Sequence, residues 1–220
     1  MKKPSLLSLI AAFACVALYA QTPDYRFGKV SAEELRMTSY DKDPDAAAVY
    51  LYEENSLFYQ IDREIGLTSD YRARIKILKS DGTDQANVSI PYTDEYSVRE
   101  SVFGIDAVAY NLVDGKIVKT PLKKQYIFTE QVGENHKLVK FSIPEVREGT
   151  VIEYKFRKTS KNPTYIPSFR FQHDIPVARC HMQALIPEFF KFNLNLKGYI
   201  KVNIEDGSTN GSVGSGSDMI

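Results

Sequence analysis

The chain has 220 residues, 43% hydrophobic and 25% charged, with 28 basic side chains matching 28 acidic ones. That length carries enough apolar material for one domain with a sizeable core. The neutral balance gives no long-range pull toward nucleic acid or an anionic membrane, so neither is expected as a partner.

Residues 1–20 have the three parts of a secretory leader. Lys2 and Lys3 form a charged start, Leu6 to Leu18 an apolar middle, and Ala20 a small residue before Gln21. The apolar run is too short to span a bilayer comfortably, so no membrane span is expected once the leader is removed. Cys15 is a weaker alternative as a lipidation site, because Ala12-Phe13-Ala14 is a poor approach to one. The expected destination is outside the cytoplasm: periplasmic, outer-membrane-associated or extracellular. Without the leader, 26 basic residues face 28 acidic ones and Cys180 is the single cysteine, which rules out an internal disulfide.

The first element past the leader is a short helix. Gln21 to Lys29 reads as an extended lead-in, and Ser31-Ala32-Glu33-Glu34 then makes a capping box, with Val30 and Leu35 spaced as a hydrophobic staple. Pro44 marks its end. Ala46 to Tyr52 reads as a strand with Val49 and Leu51 opposite Tyr50 and Tyr52. Leu57 to Ile61 is expected to pair with it across a polar turn at Glu53-Glu54-Asn55-Ser56. In the next strand Tyr71, Ala73, Ile75 and Ile77 share one face, and Arg72, Arg74 and Lys76 the other. Asp81-Gly82 signals a turn before Ala86, Val88 and Ile90. Asp114-Gly115, between Val102–Val113 and Lys116–Val118, is the strongest hairpin signal, because both central residues tolerate positive φ. Tyr126 to Phe128 is a further short strand.

Val139, Phe141 and Ile143 alternate with polar residues before Pro144. After the Glu148-Gly149 turn, Ile152, Tyr154 and Phe156 oppose Glu153, Lys155 and Arg157, a period of two that predicts one dry face and one wet. Phe169-Arg170-Phe171-Gln172 alternates as well. So do Phe190, Phe192, Leu194 and Leu196 with Lys191, Asn193, Asn195 and Lys197, followed past Gly198 by Ile200, Val202 and Ile204. Residues 207–220 are rich in Gly and Ser and read as a flexible tail. These elements predict an all-β fold, an antiparallel β-sandwich over 21–206 with one short N-terminal helix; a barrel has the same periodicity.

Chemistry-bearing residues are sparse. Cys180-His181 is the one place where nucleophilic catalysis could be sought, but strand neighbours point to opposite faces, so His173 or His136 would have to approach through the fold. His136, His173 and His181 sit in no metal-ligand spacing. Arg72, Arg74 and Lys76 form a basic stripe that would suit an acidic polymer but is expected to be a solvated face. Glu145, Glu148 and Glu153 show no glycosidase pairing. Tyr50, Tyr52, Tyr92, Tyr96 and Tyr165 are candidates for a groove that takes glycan or peptide. No catalytic, cofactor-binding or metal residue is assigned, and no cofactor is expected.

Phe141-Ser142-Ile143-Pro144, Glu148-Gly149-Thr150-Val151-Ile152-Glu153-Tyr154 and Phe171-Gln172 before Ile175-Pro176-Val177 resemble a known family. It is the domain of unknown function found ahead of transglutaminase-like domains in secreted Bacteroidetes-type proteins. Asp43-Pro44-Asp45-Ala46, Arg74 to Leu78 and Tyr110 to Lys116 follow the same order, so the likeness runs from about Val30 to about Pro187. The resemblance implies a module that lacks its last strands here. Its role would be non-catalytic, positioning or binding for a transglutaminase-like or peptidase-associated protein, with that catalytic domain as the implied partner. A free-standing periplasmic or surface protein binding glycan or peptide is the alternative, followed by a Cys180-dependent enzyme.

Overall fold

The computed structural model describes residues 24–61, 63–199 and 201–208. The expected leader over 1–20, Ile200, and the tail beyond Ser208 lie outside the described residues. Among the described residues no helix is long and apolar enough to cross a membrane.

Among the described residues nine strands form two sheets. They are β1 (Ala48–Ile61), β2 (Ile65–Ile77), β3 (Asn87–Thr93), β4 (Ser101–Val113), β5 (Lys116–Pro121), β6 (Phe128–Gln131), β7 (His136–Ser142), β8 (Val151–Ser160) and β9 (Cys180–Leu185). The larger sheet runs β5-β4-β8-β2-β1-β9 and the smaller β3-β7-β6. Ala48, Tyr50, Ala73, Ile75, Ala109, Ile152 and Tyr154 from the larger sheet meet Ile90, Val139 and Phe141 from the smaller in one buried cluster. This is the expected all-β sandwich. Every strand pair is antiparallel except β1 with β9, which runs parallel.

The locally encoded features are in place. Helix α1 (Ala32–Arg36) starts at Ser31 with both capping-box bonds formed, and Leu35 is buried with Val30 packed in the same cluster. Asp114 and Gly115 take φ of 49° and 74° and join β4 to β5.

Several expectations need correction. Glu53 to Ser56 is no turn: β1 runs unbroken past it and pairs along its whole length with β2. The polar stretch tolerates this because its side chains find partners across the ladder, such as Ser69 Oγ donating to Asn55 at 2.6 Å. The register of β1 slips between Tyr50 and Tyr52, placing Tyr50 opposite Ile75 but Tyr52 opposite Arg74. One extra residue reverses the parity, so the two tyrosines lie on opposite faces.

Asp81-Gly82 lies inside a 3₁₀ helix, Ser80–Ala86, where a Cβ on Gly82 would collide with the Ala47 carbonyl. A 3₁₀ turn at Lys124–Tyr126 precedes β6, so the short strand starts at Phe128. Residues 169–172 and 190–196 form no strand. Their alternation is real, but a strand also needs a hydrogen-bonding neighbour, and none of the described residues supplies one.

The expected wet face is the largest departure. Glu153, Arg74 and Lys76 are no more than 2% exposed. A strap of chain from Asp24 to Arg36 lies over that face and takes their hydrogen bonds.

Ile152, fully buried at the sandwich centre, and Val118, 44% exposed on β5, are a test pair for this arrangement. Ile152→Ala is expected to cost about 2–5 kcal/mol in urea denaturation, and Val118→Ala less than about 0.5 kcal/mol.

Candidate functional site

Cys180 and His173 converge on one carboxylate. Past the register slip Glu53 stands opposite Ala73 on the inner face of the larger sheet and is 2% exposed. Tyr71 donates its hydroxyl to Glu53 Oε1 at 2.6 Å, His173 Nε2 lies 2.8 Å from Oε2, and Cys180 donates its thiol to Oε2 at 3.4 Å. Backbone pairing sets the geometry. β9 begins with Cys180 opposite Glu53, and upstream of it the Tyr50 amide donates to the Pro176 carbonyl and the Glu53 amide to that of Arg179. The His173 ring stacks on Tyr50 with 4.6 Å between centroids.

Electrostatics work against nucleophilic use of this cluster. Burial, then the adjacent Glu53 charge, pushes the Cys180 thiol up to about 12. A reactive cysteine needs the reverse, a positive neighbour that holds the thiolate. Burial likewise raises the Tyr50, Tyr71 and Tyr154 phenols. His173 faces the carboxylate, while His181 is exposed on β9 and His136 exposed on β7. The structure thus joins Cys180 and His173 through Glu53 and leaves the other two histidines apart. Of the three donors on this buried carboxylate, His173 and Cys180 fasten the 169–180 segment to β1, and Tyr71 comes from β2. Among the described residues no group of three or more His, Cys, Asp or Glu is placed to hold a metal ion.

A second polar centre lies on the opposite face, under the strap. Arg74 Nε donates to Glu153 Oε1 at 2.8 Å, and Nη1 to Glu34 Oε1 at 2.7 Å. Nη1 and Nη2 also reach the carbonyls of Asp24 and Arg26. Glu153 Oε2 accepts from the Tyr110 hydroxyl and the Gly28 amide, each at 2.8 Å. Burial alone would lower the Arg74 pKa, but Glu153 and Glu34 outweigh it and the value is raised. Among the described residues Lys76 has carbonyl partners alone, Leu35 at 2.7 Å and Gly149 at 2.5 Å, and burial brings it down to about 8. Arg72 is the partly exposed member, paired with Glu54 and lying over the Tyr52 ring at 5.0 Å. Its Nε lies against that carboxylate without forming an aligned hydrogen bond.

This disposes of the basic stripe as a polymer site, since two of its three members are saturated from within. The five tyrosines do not line one groove either. Tyr50 faces the core, Tyr52 stacks on Tyr25 on the other face, and Tyr96 is 87% exposed. Glu145 and Glu148 are exposed in the turn before β8, while Glu153 is engaged with Arg74. The hub Glu53 has no distinguishing signal in the sequence, because its role comes from a register slip and from a strand that joins by parallel pairing.

The thiol gives a direct test. At pH 8, alkylation of the Cys180 peptide in the folded chain should be slower than in urea by a factor on the order of a hundred or more. The rate should climb as pH approaches 12. A raised thiol also means that the folded state holds more protons than the unfolded chain above about pH 9, so its contribution to stability falls with pH from there.

No curated protein matches the chain. Among solved structures, a candidate protease from Parabacteroides distasonis is similar at 15% identity with a TM-score of 0.47, a likeness too loose to bear on the fold. The similarity covers 62% of this chain and 28% of that one, so the chain spans less than a third of that protein's length. The model of the domain of unknown function DUF3857 matches residues 66–215, which takes in β2 through β9 and well over half of the sequence. The chain belongs to the DUF3857 family.

Proposed function

We propose that the chain is a non-catalytic, exported β-sandwich module that positions or binds for a transglutaminase-like or peptidase-associated protein. The observation that carries this reading is an uncovered apolar strip after β9. Phe190 is anchored by stacking on Tyr59 at 4.8 Å, but Phe189, Leu194 and Leu196 are 62%, 71% and 49% exposed. Apolar and polar residues alternate there as in a strand, yet the backbone pairs with no strand among the described residues. Such a strip is a docking surface in search of a neighbour, because contiguous exposed apolar area is costly in water. The resemblance to modules that precede transglutaminase-like domains supports a neighbour of that kind. The Cys180 thiol, held protonated against Glu53, supports the non-catalytic half of the reading.

Purified chain is expected to show no hydrolysis of casein and no incorporation of a dansylated amine into it. Leu194→Lys with Leu196→Lys should abolish binding of a hydrophobic dye while shifting stability by less than about 0.5 kcal/mol. Intact mass of exported material should begin at Gln21. Turnover that disappears in Cys180→Ser would overturn the non-catalytic reading, unfolding of the double variant would place the strip in the core, and a mature chain starting at Met1 would end the claim of export.

A further inference from the structure

Beyond the strap, the outer face of the larger sheet is open, and it forms a hollow of about 450 Å³ across four adjacent strands, β1, β2, β8 and β4. That volume is in the range of small-ligand sites, and four strands span roughly 14 Å. The charged residues of its lining, Glu54, Asp70, Arg72, Lys155 and Arg157, are held in cross-strand ion pairs, with Asp106 joining from beside the hollow as the partner of Lys155. Arg157 grips Asp70 with two hydrogen bonds of 2.6 Å, Lys155 Nζ lies 3.1 Å from Asp106, and Arg72 pairs with Glu54. At one rim Phe103 is 48% exposed, and at the strap Phe27 lies 4.9 Å below the Lys155 ammonium. Next to Phe103, β4 bulges against β8: the register passes from Phe103 opposite Arg157 to Asp106 opposite Lys155, and Gly104 takes a φ of 65°. Residues 104 and 105 are thereby left out of the ladder.

We propose that this hollow is a binding site for a neutral oligosaccharide of roughly two or three sugar rings, as the width of four strands allows. Three bases are matched by three acids, so the surface has no net preference for an anion or a cation. What it does offer is paired donors and acceptors fixed side by side. A diol can accept from a guanidinium or ammonium and donate to the neighbouring carboxylate at once, with neither charge left unpaired. An apolar sugar face can lie on the exposed Phe103 ring, which has no aromatic partner among the described residues. A polyuronate would meet Glu54, Asp70 and Asp106 as well as the bases. A peptide that binds by adding a strand would have to find an open sheet edge, whereas this surface is the middle of a sheet. The hollow lies on the face opposite the strip after β9, so either surface can function, or fail, without the other.

The test is titration of the full chain, followed by calorimetry and amide chemical shifts. The probes are a panel of neutral gluco-, manno-, xylo- and N-acetylglucosamine trisaccharides, with a galacturonate trimer and a neutral hexapeptide for comparison. At least one neutral trisaccharide should bind with a Kd of about 1 mM or tighter and perturb the amides of residues 103–106 and 155–157. Phe103→Ala should weaken it roughly three- to tenfold with thermal melting unchanged, because that ring is half exposed. Asp70→Asn should weaken it as well, and its own melting curve shows whether the fold is intact. Silence across the whole neutral panel overturns the proposal. So does binding that neither variant affects, or tighter binding of the galacturonate trimer. Hexapeptide binding that Phe103→Ala abolishes would overturn it in favour of a peptide site.

Discussion

The Arg74–Glu153 pair, buried between neighbouring strands and roofed by the strap, is the constraint on which the rest of the larger sheet depends. Both side chains are nearly inaccessible, and their remaining hydrogen-bonding positions are filled by Glu34, Tyr110, Gly28 and two strap carbonyls. Desolvating two charges is costly, and their attraction repays it only when every donor and acceptor is used. The strap is therefore not an ornament on a finished sheet. It supplies the polar groups without which the pair could not be buried. Glu34 links the two levels of structure, since one oxygen closes the capping box of α1 and the other holds Arg74.

The inner face is organised on the same principle with different chemistry. Glu53 replaces the ion pair with three donors, two of which come from segments far along the chain, at His173 and Cys180. That carboxylate fixes where the 169–180 segment crosses the sheet and so where β9 can start its parallel pairing. A cysteine, a histidine and a glutamate in contact could be taken for a catalytic set. Here the negative charge sits beside the sulfur and stabilises the thiol, the reverse of what a nucleophilic cysteine needs, while the contacts tie the 169–180 segment to β1. The two proposed binding surfaces lie away from this cluster: the apolar strip after β9 on one side of the larger sheet and the ion-paired hollow on the other.

What was legible in the sequence was local. Ser31 with Glu34 and Asp114 with Gly115 encode their conformations through nearest neighbours, and both stand as read. The period of two in Tyr71–Ile77 and Thr150–Arg157 reported correctly which residues share a face, and so delivered the sandwich. Periodicity records parity, however, and not what covers a face. Arg74, Lys76 and Glu153 read as solvated because their cover comes from a segment about 40 residues or more away, read as a lead-in and a short helix whose packing place no local pattern records. The slip at Tyr50/Tyr52 reversed parity within one strand with no proline or glycine to announce it. Phe190 to Leu196 failed as a strand for the complementary reason, since a pattern can qualify a segment for pairing but cannot provide the partner.

A double-mutant cycle on Arg74→Met and Glu153→Leu, read by urea denaturation at neutral pH, tests the central claim most directly. A buried pair that depends on its partners predicts about 3–5 kcal/mol lost in each single variant. The double variant should lose clearly less than the sum, with a coupling of about 2 kcal/mol or more. Single losses below about 1 kcal/mol that simply add would contradict the account, because the two charges would then be solvated and the strap would not be what holds them.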